Sequence, residues 1–199
     1  MAKRPPRRQN DTQVTRDAIT EAAERLIVQG GVHALNISKI ARELGMSHGN
    51  VYRHFSSKDE LAAEIAMRWM GETRDACQSA VDIDAPAAER LRALVMTIRK
   101  QILSRADNPD AFAIYRFVLE HRPAEALAHH QHRRNLIVRI LEDANFSTDQ
   151  SLAAEAERFL DALRFFIDPF AMVAYRNVDM TARIEQVVDL LAGYIQSRT

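Results

Sequence analysis

A single cysteine, Cys77, stands in the chain of 199 residues, so no disulfide can close within it, and the usage fits a reducing compartment. Alone, Cys77 reads as an inert thiol. No apolar run approaches the ~18 residues that a membrane-spanning helix requires. The N-terminus is basic but has no apolar segment behind it, which is not the pattern of a secretory signal. A cytoplasmic protein without a membrane partner is expected. There is no Gly-rich phosphate loop, no H-E-x-x-H helix and no Cys–His nucleophile pattern. Paired acids such as Glu142–Asp143 look like exposed helix charges. The chain is therefore expected not to be an enzyme and to need no cofactor. His129, His130 and His132 invite a metal reading, but structural zinc takes four ligands and no cysteine is near. They are expected on a solvated helix face, with no metal. Internal repeats and convincing strands are also absent.

Net charge is missing too, and that absence is informative. The formal charge is 0, with 27 basic and 27 acidic residues. Residues 1–58 hold ten Lys/Arg against five Asp/Glu, a net of +5, so residues 59–199 carry −5. A basic head on an acidic body suits one surface for nucleic acid and another for something else. With 47% hydrophobic residues the chain can bury a real core.

What is present is helix. Residues 1–11 are rich in Pro and Arg and are expected to be a disordered basic arm; Lys3, Arg4, Arg7 and Arg8 could track phosphates or enter a minor groove. A first helix is predicted over Thr12–Gln29, stopped by Gly30–Gly31, with Ile19, Ala22, Leu26 and Ile27 on its apolar side. Asn36 caps a second helix to Leu44. Gly45 ends it, Met46 spans the turn and Ser47 caps a third helix over His48–His54. Ile40, Leu44, Val51 and Phe55 would share a core and leave His48, Asn50, Tyr52, Arg53 and His54 outward. This is a helix-turn-helix whose third helix suits the major groove. Ser57 and Glu60 form a capping box for a fourth helix reaching about Ala80.

The body is punctuated by further capped starts. Helices are predicted from Asp84/Pro86 to Ser104, Asn108–Pro109 to His121, Pro123 to Asn145, Ser147 or Thr148 to Phe166, and Asp179 to Ser197. Pro169 predicts a break near Phe166–Asp168. The expected fold is all-α, about nine helices: a helix-turn-helix head at 12–57 and a helical bundle at 58–199 for ligand binding and dimerisation.

The stretch Asn36, Ile40–Ala41, Gly45–Met46–Ser47, Gly49, Val51–Tyr52, His54–Phe55, Ser57–Lys58 and Leu61 resembles the DNA-binding signature of the TetR family of bacterial regulators. The departures are mild: Asn36 stands for Thr, Met46 for Val and Val51 for Leu. The resemblance covers about the first third of the chain. It implies a homodimeric repressor that binds double-stranded operator DNA and is released by a small-molecule inducer. Ser47, His48 and Asn50 would reach base edges, with Asn50 able to pair twice with adenine. Gly49 would let the backbone approach the groove. Tyr52 and His54, by resemblance, bond phosphates; Lys58 would meet a phosphate at the start of the fourth helix. Ser38 and Lys39 open the second helix and would contact backbone or base.

Two further expectations concern the body. Phe112, Ile114, Tyr115, Phe117, Val118 and Leu119 make a segment apolar nearly all round, which places it mid-body. Trp69, Phe112, Tyr115, Arg116 and His121 become the candidate inducer contacts. The wide apolar faces Leu152, Ala156, Phe159, Leu160, Leu163, Phe166 and Ile184, Val187, Val188, Leu191, Tyr194, Ile195 are expected to form a homodimer through the two long C-terminal helices, as the resemblance implies. Alternatives are a helical small-molecule-binding protein or enzyme, a DNA-binding regulator without ligand response, and an architectural DNA-binding protein.

Overall fold

The computed structural model describes the backbone of residues 7–105 and 109–199 and the side chains of 15–105 and 110–199. Among these residues there are ten α-helices and no strand. They are α1 (Arg7–Gly30), α2 (Ile37–Glu43), α3 (His48–His54), α4 (Lys58–Val81), α5 (Ala87–Leu103), α6 (Ile114–His121), α7 (Pro123–Asp143), α8 (Leu152–Ile167), α9 (Pro169–Ala174) and α10 (Thr181–Gln196). Short 3-10 helices lie at Val32–Ala34 and Pro109–Ala113. No helix of the described residues is long and apolar enough to cross a membrane.

The chain divides into two compact units, Met1–Met67 with Asn108–Arg122, and Arg68–Asp107 with Pro123–Thr199. In the first, α1 packs on α2, α2 on α3, and the 3-10 helix Pro109–Ala113 on α1 and on Val32–Ala34. Ile19, Ala22, Ala23, Leu26 and Ile27 of α1 are buried with Ile37, Ile40, Val51 and Phe55. Helix α1 starts at Arg7, ahead of the expected Thr12. So of the expected disordered arm, Arg7 and Arg8 begin α1, while Lys3 and Arg4 lie outside the described residues.

The segment after residue 108 departs from expectation. It was expected mid-body, yet it belongs to the first unit, and its α-helix is only eight residues long. Ile114 and Val118 face inward, whereas Arg116, Leu119 and His121 are exposed. Two helical turns need only one buried stripe, so the apolar residues in excess of that stripe remain at the surface.

The second unit is a bundle in which α5 packs against α7, α8, α9 and α10. Its stripe Leu91, Leu94, Val95, Ile98 and Ile102 is wholly buried. Ser151, rather than Ser147 or Thr148, caps α8 by accepting from Ala154 N at 3.1 Å. Thr148 Oγ1 instead donates to the buried Glu155 carboxylate at 2.9 Å, which Arg158 and Tyr194 also contact. The break near Asp168 is present, with the Asp168 carboxylate accepting from Ala171 N at 2.7 Å and Pro169 opening α9.

The apolar faces assigned to dimerisation are largely spent within the chain. Phe159, Leu163, Ile184, Val188 and Ile195 are no more than 2% exposed. An inward stripe on each helix is what a single-chain bundle already needs, so it carries no information about a second copy.

Candidate nucleic-acid interface

The turn between α2 and α3 is built from backbone chemistry that its residues dictate. Asn36 Oδ1 accepts from Lys39 N at 3.0 Å and starts α2. At its end Gly45 adopts φ 64°. Gly45 N–H reaches Arg42 O at 3.3 Å and Met46 N–H reaches Ala41 O at 2.9 Å, the paired bonds of a Schellman cap. Ser47 Oγ then accepts from Asn50 N at 3.1 Å and starts α3. Val51 and Phe55 sit fully inside, which sets the rotation of α3.

That rotation leaves Ser47, His48, Gly49, Tyr52 and Arg53 exposed and Asn50 and His54 half-buried. His48 meets the Tyr52 ring edge-on, with centroids 5.1 Å apart. Ser38 and Lys39 are exposed in the first turn of α2, and Lys58 is exposed at the first residue of α4. All nine residues expected at DNA thus lie in one unit, on or beside the helix-turn-helix. At the start of α4, Ser57 Oγ accepts from Glu60 N at 3.0 Å, as the capping box requires. The return arm differs: Glu60 accepts from Ser56 N and Ser56 Oγ, both at 2.6 Å, in place of Ser57. Those Ser56 bonds hold the Glu60 carboxyl below its ordinary value.

Arg16 is a member of this assembly that the sequence did not disclose. Its Nη1 donates to His54 O at 2.5 Å, its Nη2 pairs with Glu64 at 3.0 Å, and its guanidinium lies 4.1 Å from the centre of the Phe55 ring. It therefore clamps the end of α3 to α4. Its partners are 38 and 48 residues away, so no local pattern could reveal the role.

The five residues expected at an inducer are not brought together in one unit. Trp69 is fully buried in the second, under the Arg105 guanidinium at 5.4 Å. Phe112, Tyr115, Arg116 and His121 are in the first. There Phe112 is buried and stacks on Tyr115 at 6.0 Å, while His121 is exposed with Nδ1 3.0 Å from Phe117 O. A groove of about 670 Å³ lies elsewhere in the second unit, between Val81–Ala87 and Arg139–Ala144. Its charges are largely paired with one another: Arg90 with Asp143 at 2.7 Å and Arg139 with Asp82 at 2.6 Å.

The family model described as "Bacterial regulatory proteins, tetR family" matches residues 19–65, which span this helix-turn-helix. The chain is 29% identical over 90 residues to the fatty acid metabolism regulator protein of Bacillus subtilis, covering 45% of this chain and 46% of that one. It is 34% identical over 82 residues to the HTH-type transcriptional regulator BetI of Rhizobium meliloti, covering 41% of this chain and 40% of that one. The chain thus aligns with less than half the length of these curated relatives. The solved FadR regulator of Bacillus subtilis in complex with stearoyl-CoA superposes with a TM-score of 0.60 at 18% identity, over 88% of this chain and 96% of that one. At that identity the likeness is one of fold, and it spans both units.

Proposed function

Since residues 19–65 match the family model of the tetR bacterial regulatory proteins, we propose that the chain is a sequence-specific transcriptional regulator of that family, a repressor that binds operator DNA as a homodimer and is released by a small-molecule inducer. The observation that carries this reading is α3. It is capped by Ser47, rotated by Val51 and Phe55, and presents His48, Gly49, Asn50 and Tyr52 outward. A helix so held offers its first turn to base edges.

In this reading Ser47, His48 and Asn50 read bases, and Gly49 admits the backbone to the groove. Ser38, Lys39, Tyr52, His54 and Lys58 hold phosphates. A fatty acyl thioester in a fold relative makes an apolar inducer reasonable for the helical body. Trp69 would border such a site from α4, a helix that runs unbroken from Lys58 to Val81.

The experiment is a pair of titrations, one against the selected operator and one against random duplex. Asn50→Ala should weaken the operator by about 1–3 kcal/mol and leave random DNA nearly unchanged. Lys58→Ala should weaken both and lower the salt dependence by about one unit for each phosphate that is no longer neutralised. Equal losses on both duplexes for Asn50→Ala would remove its base-reading role.

A further inference from the structure

The buried stripe of α7 changes character along its length. Leu136 and Ile140 are buried in the bundle, and the same face continues backwards through Arg133, His132 and His129. These positions follow the spacing i, i+3, i+4, i+7 and i+11 of a core-facing row, where apolar side chains are the rule. All three are half-buried. Across from them α4 buries Thr73, Cys77 and Val81, with Arg74 beside Thr73. The Arg74 backbone lies close enough to His132 to favour its charged form, while His132 Nε2 is buried with no hydrogen-bond partner. Arg133 Nε and Arg134 Nε are likewise buried without a hydrogen bond, and buried polar nitrogens left so in one short stretch of α7 ask for a missing group.

Charge says which kind of group. His129 is held neutral by burial first, and then by Arg133, His132, Arg74 and His130, which push it down to about 3. Burial also lowers His132, joined by Arg74 and Arg133 and opposed by the Arg74 backbone and Asp75. Asp75 itself is bonded to Arg74 at 3.2 Å and is 76% exposed. On the neighbouring face of α7, His130 and Arg134 are met by Glu157 of α8, at 2.9 Å and 3.7 Å. That face has its carboxylate from within the bundle. Around His132, four groups that are cations or can become cations converge on a row that leads into apolar core.

We propose that Arg74 of α4 with His129, His132 and Arg133 of α7 form a binding site for the carboxylate or phosphate head group of an otherwise apolar effector. The proposal rests on the ligand-responsive reading above and supplies its chemistry. The anion accepts from His132 Nε2–H and from the guanidinium groups. Its charge reverses the penalty on the imidazoles, so binding takes up protons. Leu136, Thr73 and Cys77, next along the two helices, adjoin the apolar remainder.

The test uses the full chain in calorimetric titrations with three probes of one chain length: decanoate, decyl phosphate and decanol. At pH 7 the site predicts at least one anion binding about tenfold or more tighter than decanol, with proton uptake seen as a heat that changes with buffer. Which anion wins separates carboxylate from phosphate. His132→Gln should lower anion affinity about tenfold and leave decanol unchanged. Arg74→Gln should do the same, and because that side chain is 53% exposed the fold does not depend on it. Equal affinities for all three probes, unchanged anion binding in Arg74→Gln, or no binding of any probe overturns the site. Release of operator is read separately. Tight anion binding without release would keep the site and sink the inducer reading, whereas release by decanol alone would do the reverse.

Discussion

His129 sits where burial, two arginines and two further histidines disfavour its charged form, which sets a sign for the pH dependence of stability. Its folded value is lowered from 6.5 to about 3, so between those limits the unfolded chain binds a proton that the native chain lacks. Stability from this residue is complete above 6.5 and is lost as pH falls towards 3. Below the ordinary histidine value the slope should approach about 1.4 kcal/mol per pH unit for one such group. His132 adds in the same direction. The lowered carboxyls of Glu60, Asp82 and Asp179 contribute only below about their ordinary values, so urea titrations between about pH 7.5 and 5 isolate the histidines. His129→Gln should flatten that profile, and an unchanged slope would contradict the burial argument. Cys77 tells a parallel story. It is 1% exposed, and burial pushes its thiol up to about 11. A thiol-reactive chromophore should leave it unlabelled at about pH 8 until urea unfolds the chain. The sequence already reads Cys77 as inert, but its burial and that of His129 depend on what packs around each residue.

At the scale of the element, the turn of the helix-turn-helix separates glycines that serve structure from those that serve binding. A Cβ at Gly45 would meet nothing within 4 Å, so only its φ of 64° opposes substitution. Gly45→Ala should cost about 1–2 kcal/mol of stability. A Cβ at Gly49 also has open space, but that residue lies within α3 at ordinary helical φ. Gly49→Ala should therefore stabilise the fold by about 0.5–1 kcal/mol. If α3 lies in the groove as proposed, the same substitution should weaken operator binding. Measuring thermal unfolding and operator affinity on both variants checks the pair; a Gly49→Ala protein with full operator affinity would remove the close-approach role. The caps at Asn36, Ser47 and Ser57 were legible because each acts within three residues of itself. The cap of α8 was not, since Ser147, Thr148 and Ser151 all offer the same hydroxyl chemistry. The buried Glu155, which engages Thr148, selects among them.

For the whole molecule, the face of the C-terminal helices left outside decides where a second copy would sit. On α10, Ala182, Gln186, Leu190 and Gly193 are exposed on one side, with Leu190 at 73%. On α8, Ala162 and Phe165 are exposed, and Phe165 packs on Tyr175 at 5.3 Å. Leu190→Glu should leave the folded chain intact and turn a dimer into a monomer by sedimentation at micromolar concentration, with loss of the palindromic footprint. Phe159→Glu should instead unfold the chain, since Phe159 is 1% exposed. A monomeric wild type would end the dimer proposal.

The amino-acid sequence by itself determined the helical character, the stops at Gly30–Gly31 and Pro169, and the helix-turn-helix with its outward residues. These rest on interactions within a few residues, which a linear pattern preserves. Tertiary structure alone decided that the segment Pro109–His121 joins the first unit, that the long apolar faces are consumed within the chain, and that Arg16 clamps the end of α3. It also decided that a row of histidine and arginine continues the buried stripe of α7. An apolar stripe states only that something covers it. Which element does so is settled by long-range packing, where many apolar partners are chemically equivalent and only shape distinguishes them.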